Sequence, residues 1–487
     1  MAGDTIPNQP TGASSSAPSP QPSPEAELRK FGYQQELHRS LSLWDLLVYG
    51  LVFMVPIAPF AIFGLVFNAS HGMVPLTYLI GLVAMLFTAL SYRTMSRAFP
   101  VAGSVYSYAG RGIGDSAGFI AGWAILLDYL LVPTLLYVTG AVALATVVPG
   151  VPQQVWVIIF VVFNTVVNLA GIRFAAWVNL AFLIGELVIL AMFVVFAVIA
   201  IGKGANGAHW SLTPFFNADE FTPSLMFGAL SIAVLSFLGF DAISTLSEEV
   251  SGDTKLIGRA TVLSLCMVAL LFVAQTYLAA LLVPGRTQFD TEDATNSAFY
   301  DLSEAAAGHW MLVVMAVTVA LAAAVANSLV AQAATSRLLY SMGRDRTLPK
   351  FLAHISPGRG VPDRAVLLVA ALSLFLSLVF VGQIGFLSTL VNFGALVAFL
   401  LLHVSVAVYH LIKKRQRTYG MHLVVPLVGF VIIGYVLVNA GTPAKIGGLI
   451  WLAVGIVLLT IRKLTGRSST LNLDEADAGH QDGVSAR

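Results

Sequence analysis

Apolar runs long enough to cross a membrane recur along the whole chain, and this pattern constrains its fold more than any other feature. A transmembrane helix needs about 20 apolar residues, because the hydrocarbon core of a bilayer is about 30 Å thick. Of the 487 residues, 57% are hydrophobic and only 10% are charged, whereas about 25% are charged in soluble domains. We therefore expect an all-α polytopic membrane protein. The runs predict twelve spans, at residues 43–67, 76–97, 117–147, 153–172, 176–202, 225–247, 258–284, 308–338, 365–382, 384–411, 422–440 and 444–462.

The basic residues support both the number of spans and their orientation. Cytoplasmic loops of membrane proteins carry an excess of Lys and Arg. With both termini in the cytoplasm, all but three of the 26 Lys and Arg residues fall inside, the exceptions being Lys203, Arg286 and Lys445. A wrong number of spans would scramble this alternation. The sequence therefore predicts a multi-pass protein of the plasma (inner) membrane with both termini cytoplasmic.

Two long connections suggest an internal repeat. Residues 96–118, after span 2, and residues 284–308, after span 7, occupy the same relative place in two sets of five spans but fall on opposite sides of the membrane. An inverted-topology repeat produces this arrangement. We expect a disordered cytoplasmic tail, two repeats, a two-helix appendage and a second disordered cytoplasmic tail, at residues 1–40, 41–202, 203–411, 412–463 and 464–487.

The first span of each predicted repeat carries a helix breaker near its middle. Span 1 contains Pro56 and Pro59, and span 6 contains Gly239 within SFLGFDA. Matching interruptions in two halves point to a transporter's binding site. The alternative is a proline kink and a packing glycine, which are both common in membrane helices.

The prolines also predict the local geometry of span 1. Residues before proline avoid the α region, so Val55 and Ala58 should be extended. Pro59 then suits the first position of a new half-helix. The N–H groups that follow, on residues 60–62, would point toward the membrane centre, and such a helix start suits a carboxylate.

Three acidic residues lie well inside predicted spans, where a charge left in lipid costs several kcal/mol. Asp128 in span 3 and Glu186 in span 5 fall at about the bilayer centre, and Asp241 follows the break in span 6. Asp241 has an alternative role as a helix N-cap, and Asp128 as a protonated group bonded to a neighbouring helix. We expect Glu186 and Asp128 to be the proton-coupling sites, with Glu186 neutral at rest.

Two further acids, Glu248 and Glu249, fall at the inner end of span 6. Arg93 or Arg97 would be their partners in an inner gate, and a plain solvated interface is the alternative.

Four separated motifs resemble those of the amino acid–polyamine–organocation (APC) superfamily: FPVAGSVYSYAGRGIG (99–114), GWAILLDYL (122–130), SFLGFDAISTLSEE (236–249) and SRLLYSMGRDRTLP (336–349). Within this superfamily, the stretches most similar to those of bacterial putrescine importers are WSLTPFF (210–216), SFLGFDA and VNFGALVAF (391–399). The resemblance implies a LeuT-like fold. In that fold two five-helix repeats are inverted, helices 1 and 6 are discontinuous and two helices are extra. It also implies proton-coupled uptake of amino acids or amines.

The resemblance further implies which residues contact substrate. Span 1 departs from many permeases in having Pro56 and Pro59 instead of a Gly-rich turn. It departs from the putrescine importers in having Ala61 instead of an acid. The substrate therefore stays open between a cationic amine and an amino acid. The implied substrate-binding residues are Val55, Pro56, Ile57, Ala58, Pro59, Asp128, Tyr129, Phe237, Gly239, Phe240 and Asp241.

Other classes of protein fit the sequence poorly. An intramembrane aspartyl protease needs two Asp on adjacent helices with a GxGD signature, which FLGFDA does not match. The chain has no HExxH motif, no span offers a plausible Ser/His pair, and there is no TVGYG-type filter. We expect no catalytic residue, no metal site and no cofactor, with a proton as the coupling ion and sodium as the alternative. The expected partners are an amino acid or amine and membrane lipids, but no nucleic acid, and the sequence leaves the oligomeric state unknown. An exchanger (antiporter) or a sensor with a transporter fold is the alternative to a net importer.

Overall fold

The computed structural model describes residue 37 and residues 39–148, 150–251, 253, 255–381 and 384–464. The predicted disordered tails lie almost wholly outside these residues. The described chain is helical, and its only extended pairing is an isolated bridge between Leu41 and Val250.

Seven α-helices form the first part of the described chain. The break between α1 and α2 falls within the predicted span 1. In order, α1 to α7 are Leu43–Met54, Ala58–Ser70, Val74–Ala98, Ser104–Gly112, Asp115–Val147, Gln153–Ala170 and Ile172–Gly202.

Nine more α-helices complete the described chain, some extended by 3₁₀ or π turns. In order, α8 to α16 are Pro223–Ala233, Lys255–Leu281, Glu292–Ala307, His309–Leu321, Ser328–Arg344, Asp363–Val379, Ile384–Ala407, Val425–Val438 and Thr442–Leu464. The 3₁₀ segments are Ala205–Gly207, Val234–Phe237, Phe240–Leu246 and Lys350–Ala353, and the π segments are Ala322–Asn327, Val408–Lys413 and Gly420–Val424.

The number of membrane spans agrees with the sequence in part. Within the described residues, ten helical segments are long and apolar enough to cross a membrane, or eleven when the bent pair of α1 and α2 counts as one span. The predicted ninth span corresponds to α13, which has 17 residues, about 25 Å of helix at 1.5 Å per residue. Twelve spans therefore stay a prediction.

Exposed tryptophans mark both ends of the helical bundle. We call the side at which α1 begins the near side and the opposite side the far side. Trp44 and Trp177, at the near-side starts of α1 and α7, are 59% and 66% exposed, and Trp210 and Trp310 on the far side are 56% and 44% exposed. Such aromatic residues are enriched where a membrane meets water. They fit a bundle whose apolar outer surface faces lipid.

Both long connections contain helices that the sequence did not predict. The Gly-rich stretch after span 2 forms α4, whose nine residues are all buried. The acidic stretch after span 7 forms α10, which begins at the N-cap Thr291, whose hydroxyl accepts a hydrogen bond from the backbone N–H of Ala294. These segments are part of the packed bundle.

Candidate functional site

The first predicted span breaks at the predicted place. α1 ends at Met54, α2 begins at Ala58, and the two axes are bent by 44°. Val55 has φ 52° and ψ 102°, a left-handed-side conformation that a β-branched residue rarely adopts. The side-chain amide of Gln275 on α9 donates to the carbonyl oxygen of Pro56 at 2.8 Å. This bond satisfies an acceptor that the break would otherwise leave buried without a partner.

The detailed geometry of this break differs from the prediction. Ala58 is already helical, because its N–H donates to the carbonyl of Val55 at 2.8 Å, and Pro59 follows it. Phe60 donates its N–H to the carbonyl of Ile57 at 2.9 Å. The tight turn therefore uses the first donors of α2, and Pro59 has none. Fewer free N–H groups are therefore available to bind a carboxylate here than we expected.

The predicted break in the sixth span lies against the first. After α8 and its 3₁₀ extension, Leu238 is extended and Gly239 has φ 116°, before a second 3₁₀ segment begins at Phe240. A Cβ on Gly239 would approach the ring of Phe53, at the end of α1, to 2.8 Å. Only glycine suits both this φ and this approach. The two breaks therefore meet inside the bundle.

Asp241 connects the broken sixth span to the third span. Its Oδ2 accepts a hydrogen bond from the hydroxyl of Tyr129 at 2.6 Å, and its Oδ1 accepts one from the N–H of Gly239 at 3.3 Å. The side chain is 1% exposed. The N-cap position of the following 3₁₀ segment belongs to Gly239, so Asp241 reaches back across the break instead of capping the segment in the usual way.

Asp128 is the neighbour of this pair. It is 3% exposed, its Oδ1 has no hydrogen-bond partner within the described chain, and its carboxyl lies within electrostatic range of that of Asp241. The hydroxyl of Thr335 on α12 donates to the carbonyl of Tyr129 at 2.6 Å. Two carboxyls from different segments thus share one buried region, and α12 bonds to the backbone of the tyrosine that contacts Asp241.

The two predicted phenylalanines point to different surroundings. The ring of Phe240 lies 5.9 Å from that of Tyr92 and 5.7 Å from that of Phe399. Phe237 instead packs on Tyr78 and Phe272 of α3 and α9, with ring centroids 5.9 and 5.4 Å away. Tyr92 and Phe399 were not predicted as site residues, although Phe399 ends the motif VNFGALVAF.

Glu186 lies on α7, apart from the two aspartates. It is 2% exposed, and neither carboxyl oxygen has a hydrogen-bond partner within the described residues. No charged side chain of the described chain lies close enough to interact with it. The structure therefore separates the two predicted proton-coupling residues.

Buried ion pairs close the near side of the bundle. Glu249 receives two hydrogen bonds from the guanidinium of Arg337, one of them from Nη2 at 3.2 Å, and these side chains are 3% and 8% exposed. Glu248 binds Arg344 at 2.8 and 2.9 Å. The partners are therefore arginines of α12, and the expectation of Arg93 or Arg97, or of a solvated interface, was wrong.

The surroundings of Glu248 stabilise the charged form of its carboxyl group. Burial alone would raise the pKa of its carboxyl, but the guanidinium of Arg344 and the N–H of Ala102, 2.9 Å away, hold this pKa below its usual value. The carboxylate is thus ionised at neutral pH. Its contribution to stability is lost only when the pH falls through that lowered pKa.

The start of α1 is tied to the same place. The N–H groups of Ser40 and Leu41 both donate to the carbonyl of Glu249 at 3.0 Å, and Ser251 donates to the carbonyl of Leu41 at 2.9 Å. Glu249 therefore joins α1 through its backbone and α12 through its side chain.

A cavity of about 190 Å³ lies on the near side, away from the two breaks. It separates the start of α1 from α7 and α12. Its lining residues are Leu41, Trp44, Asp45, Val48, Tyr49, Asn168, Trp177, Asn179, Leu180, Leu246, Leu329, Val330 and Ala333.

This architecture defines a polytopic helical membrane protein with two touching helix breaks beside buried carboxyl groups. The chain belongs to the amino acid permease family, whose model, described as "Amino acid permease", matches residues 54–442. The family identifies a transporter of small amino acid or amine molecules and not an enzyme.

Curated relatives cover almost the same length. The chain is 34% identical to the low-affinity putrescine importer PlaP of Escherichia coli K12, over 87% of this chain and 93% of that protein. It is 26% identical to the branched-chain amino acid permease BcaP of Bacillus subtilis, with the same coverage of 87% and 93%. It is 25% identical to the methylthioribose transporter of Bacillus subtilis, again over 87% and 93%.

Proposed function

We propose that the protein is a proton-coupled importer of an organic amine, with putrescine as the first compound to test. It acts by alternating access, in the plasma membrane, with the near side facing the cytoplasm. The chain has twelve spans, of which the first ten form two inverted repeats of five. The similarity to a putrescine importer and the distribution of Lys and Arg support this proposal.

The chemistry of the two breaks favours an amine over an amino acid. The eleven predicted substrate-binding residues include two carboxyls, Asp128 and Asp241, and no Lys or Arg. An amino acid also needs donors for its carboxylate, yet the N–H groups of Ala58 and Phe60 are used within the turn. A diamine instead presents an ammonium group at each end, which suits two carboxylates. This distribution of charge is the observation that carries the proposal.

The test is counterflow in proteoliposomes. We expect vesicles loaded with unlabelled putrescine to accumulate labelled putrescine through the purified protein, with saturable kinetics. Leucine and other amino acids in the same panel should exchange more slowly. Lack of saturable exchange of any of these compounds by folded protein would rule out the transporter proposal. Faster exchange of an amino acid would reassign the substrate.

Net import is distinguished from obligate exchange by the contents of the vesicles. An importer accumulates putrescine in empty vesicles when a pH gradient, acidic outside, is applied. An exchanger needs internal substrate, and a sensor with a transporter fold binds without transport.

Glu186 provides the test of proton coupling. We expect Glu186→Gln to abolish accumulation driven by a pH gradient, because a glutamine cannot release a proton, while counterflow continues. The matched control is Asp301→Asn, at an exposed acid of α10. If Glu186→Gln accumulates putrescine as well as the wild-type protein does, Glu186 is not a coupling site.

A further inference from the structure

The near-side cavity has a polar wall that the substrate pathway does not explain. Its volume of about 190 Å³ exceeds the roughly 10–15 Å³ that one water molecule needs. Among its lining residues, Asp45, Tyr49, Asn168 and Asn179 carry polar groups. Since polar groups and room are the two requirements for ordered water, the cavity can hold several molecules.

Asn179 gives this wall an acceptor without a donor. The residue is 4% exposed, and its Oδ1 has no hydrogen-bond partner within the described chain. Asn168, by contrast, donates from Nδ2 to the carbonyl of Leu329 at 3.1 Å and to Gln332 at 2.9 Å. A buried acceptor without a donor costs free energy. Water in the cavity would supply the missing donor to Asn179.

Glu186 lies on the same helix face, deeper in the membrane. Asn179, Glu186 and Phe193 are spaced by seven residues on α7 and are all buried, so they line one face. The ring of Phe193 packs at 5.7 Å on that of Phe60, at the start of α2. Glu186 is thus placed between the cavity and the first helix break, about 10 Å from Asn179 along the axis.

A segment with a free polar group also packs against α7. α7 packs against the π-helical segment Ala322–Asn327, and the Oδ1 of Asn327 has no hydrogen-bond partner within the described residues. π-Bulges of this kind often occur at functional sites. Asn164 on α6 donates to the carbonyl of Ala324 at 3.1 Å and to Ser328 at 2.7 Å, which holds the segment in this form.

We propose that the near-side cavity is the inner half of the proton pathway, with Asn179 as the residue that positions its water. The inference rests on the proposed function. When the loaded carrier faces the cytoplasm and water extends from the cavity to Glu186, the O–H bond of the Glu186 carboxyl breaks and its proton forms an O–H bond on the nearest of these waters. The excess proton then passes along the water held by Asn179 to the cytoplasm. The remaining carboxylate takes up its next proton from the far side.

The experiment separates proton release from substrate movement. Asn179→Leu removes the acceptor at similar size, and Ala333→Leu fills the cavity from α12. Ala191→Leu, on the outer surface of α7, is the matched control, and Asn179→Ser keeps a polar group with room for water. Two readouts use putrescine: proton entry into vesicles, followed with a trapped pH dye, and counterflow. Counterflow does not require Glu186 to lose its proton, because the loaded carrier can return protonated.

We expect Asn179→Leu and Ala333→Leu to slow putrescine-coupled proton entry by about tenfold, the effect of roughly 1.4 kcal/mol on a barrier. Counterflow by these two variants should stay within about twofold of the wild-type rate, well under the tenfold loss of proton entry. Asn179→Ser should recover most proton entry, and Ala191→Leu should match wild type.

The other outcomes overturn the inference in distinguishable ways. Equal losses in proton entry and counterflow would make Asn179 a structural residue, and unchanged proton entry would remove the cavity from the pathway. If the wild-type protein shows counterflow but no putrescine-coupled proton entry, the proton pathway is refuted and the protein is still a transporter. Absence of wild-type counterflow would refute the proposed function as well.

Discussion

Asp241→Asn is expected to weaken putrescine binding by about 30-fold or more and to reduce uptake accordingly. Removing one partner of a buried, hydrogen-bonded charge pair costs about 2–5 kcal/mol, and each 1.4 kcal/mol is a factor of ten in affinity. Asparagine has nearly the same shape, and its one side-chain oxygen can still accept the shorter bond, from Tyr129, so the loss reports chiefly on charge. The measurement is the dissociation constant for putrescine in detergent, together with initial uptake rates in proteoliposomes.

Two companion variants sharpen this result. Asp301→Asn makes the same chemical change at an exposed acid of α10 and should bind putrescine like wild type. Tyr129→Phe removes the hydroxyl 2.6 Å from Asp241 but leaves the carboxylate, so its effect should be smaller than that of Asp241→Asn. Retention of wild-type affinity by folded Asp241→Asn would exclude this carboxylate from substrate recognition.

The sequence located the helix breaks because their signals are local. Pro56 and Pro59 remove backbone donors, and Gly239 permits a positive φ, so each disturbs the helix at its own position. The finer geometry was not predictable from the same residues. Ala58 is helical although a proline follows it, since the turn that begins at Val55 already satisfies its N–H. Tertiary context outweighed the local preference.

Partners that are distant in sequence were harder to predict. Glu248 and Glu249 were recognised as acids at the end of the sixth span, but Arg337 and Arg344 lie about ninety residues later. No local pattern specifies which helix will pack against them. Arg93 and Arg97, about 150 residues earlier and on the same predicted side of the membrane, therefore looked equally suitable. The carboxyl groups of Asp128 and Asp241 were predicted for one site because motif resemblance, and not spacing, had related their helices.

The near-side ion pairs have a further consequence, because Glu249 links three elements. Its carbonyl accepts from Ser40 and Leu41 before α1, and its carboxylate binds Arg337 on α12. Alternating access in the proposed carrier requires α1 to separate from α12 on this side. Every opening must therefore break or displace contacts made by one residue, and its ion pair should set how often the near side opens.

Arg337→Gln is expected to open the near side and to reduce driven uptake. It leaves Glu249 buried without its counter-charge, which costs about 3–5 kcal/mol, and at 1.4 kcal/mol per factor of ten the open population should rise by about 100-fold or more. The readout is the rate at which a membrane-impermeant maleimide labels Val330→Cys, a cavity-lining position. The background is Cys266→Ser, since Cys266 is the only cysteine.

Two controls decide whether the ion pair is responsible for this opening. Lys255 and Asp253 form an exposed near-side pair, with side chains 49% and 48% exposed, and such pairs contribute about 0–1 kcal/mol. Lys255→Ala should therefore label like the parent. The double variant Glu249→Gln/Arg337→Gln removes both charges and should restore slow labelling in part, because no uncompensated charge remains buried. Labelling of Arg337→Gln at the rate of Lys255→Ala would show that the pair does not hold the near side closed. Fast labelling that the double variant does not slow would assign the effect to lost packing of the arginine instead of to its charge.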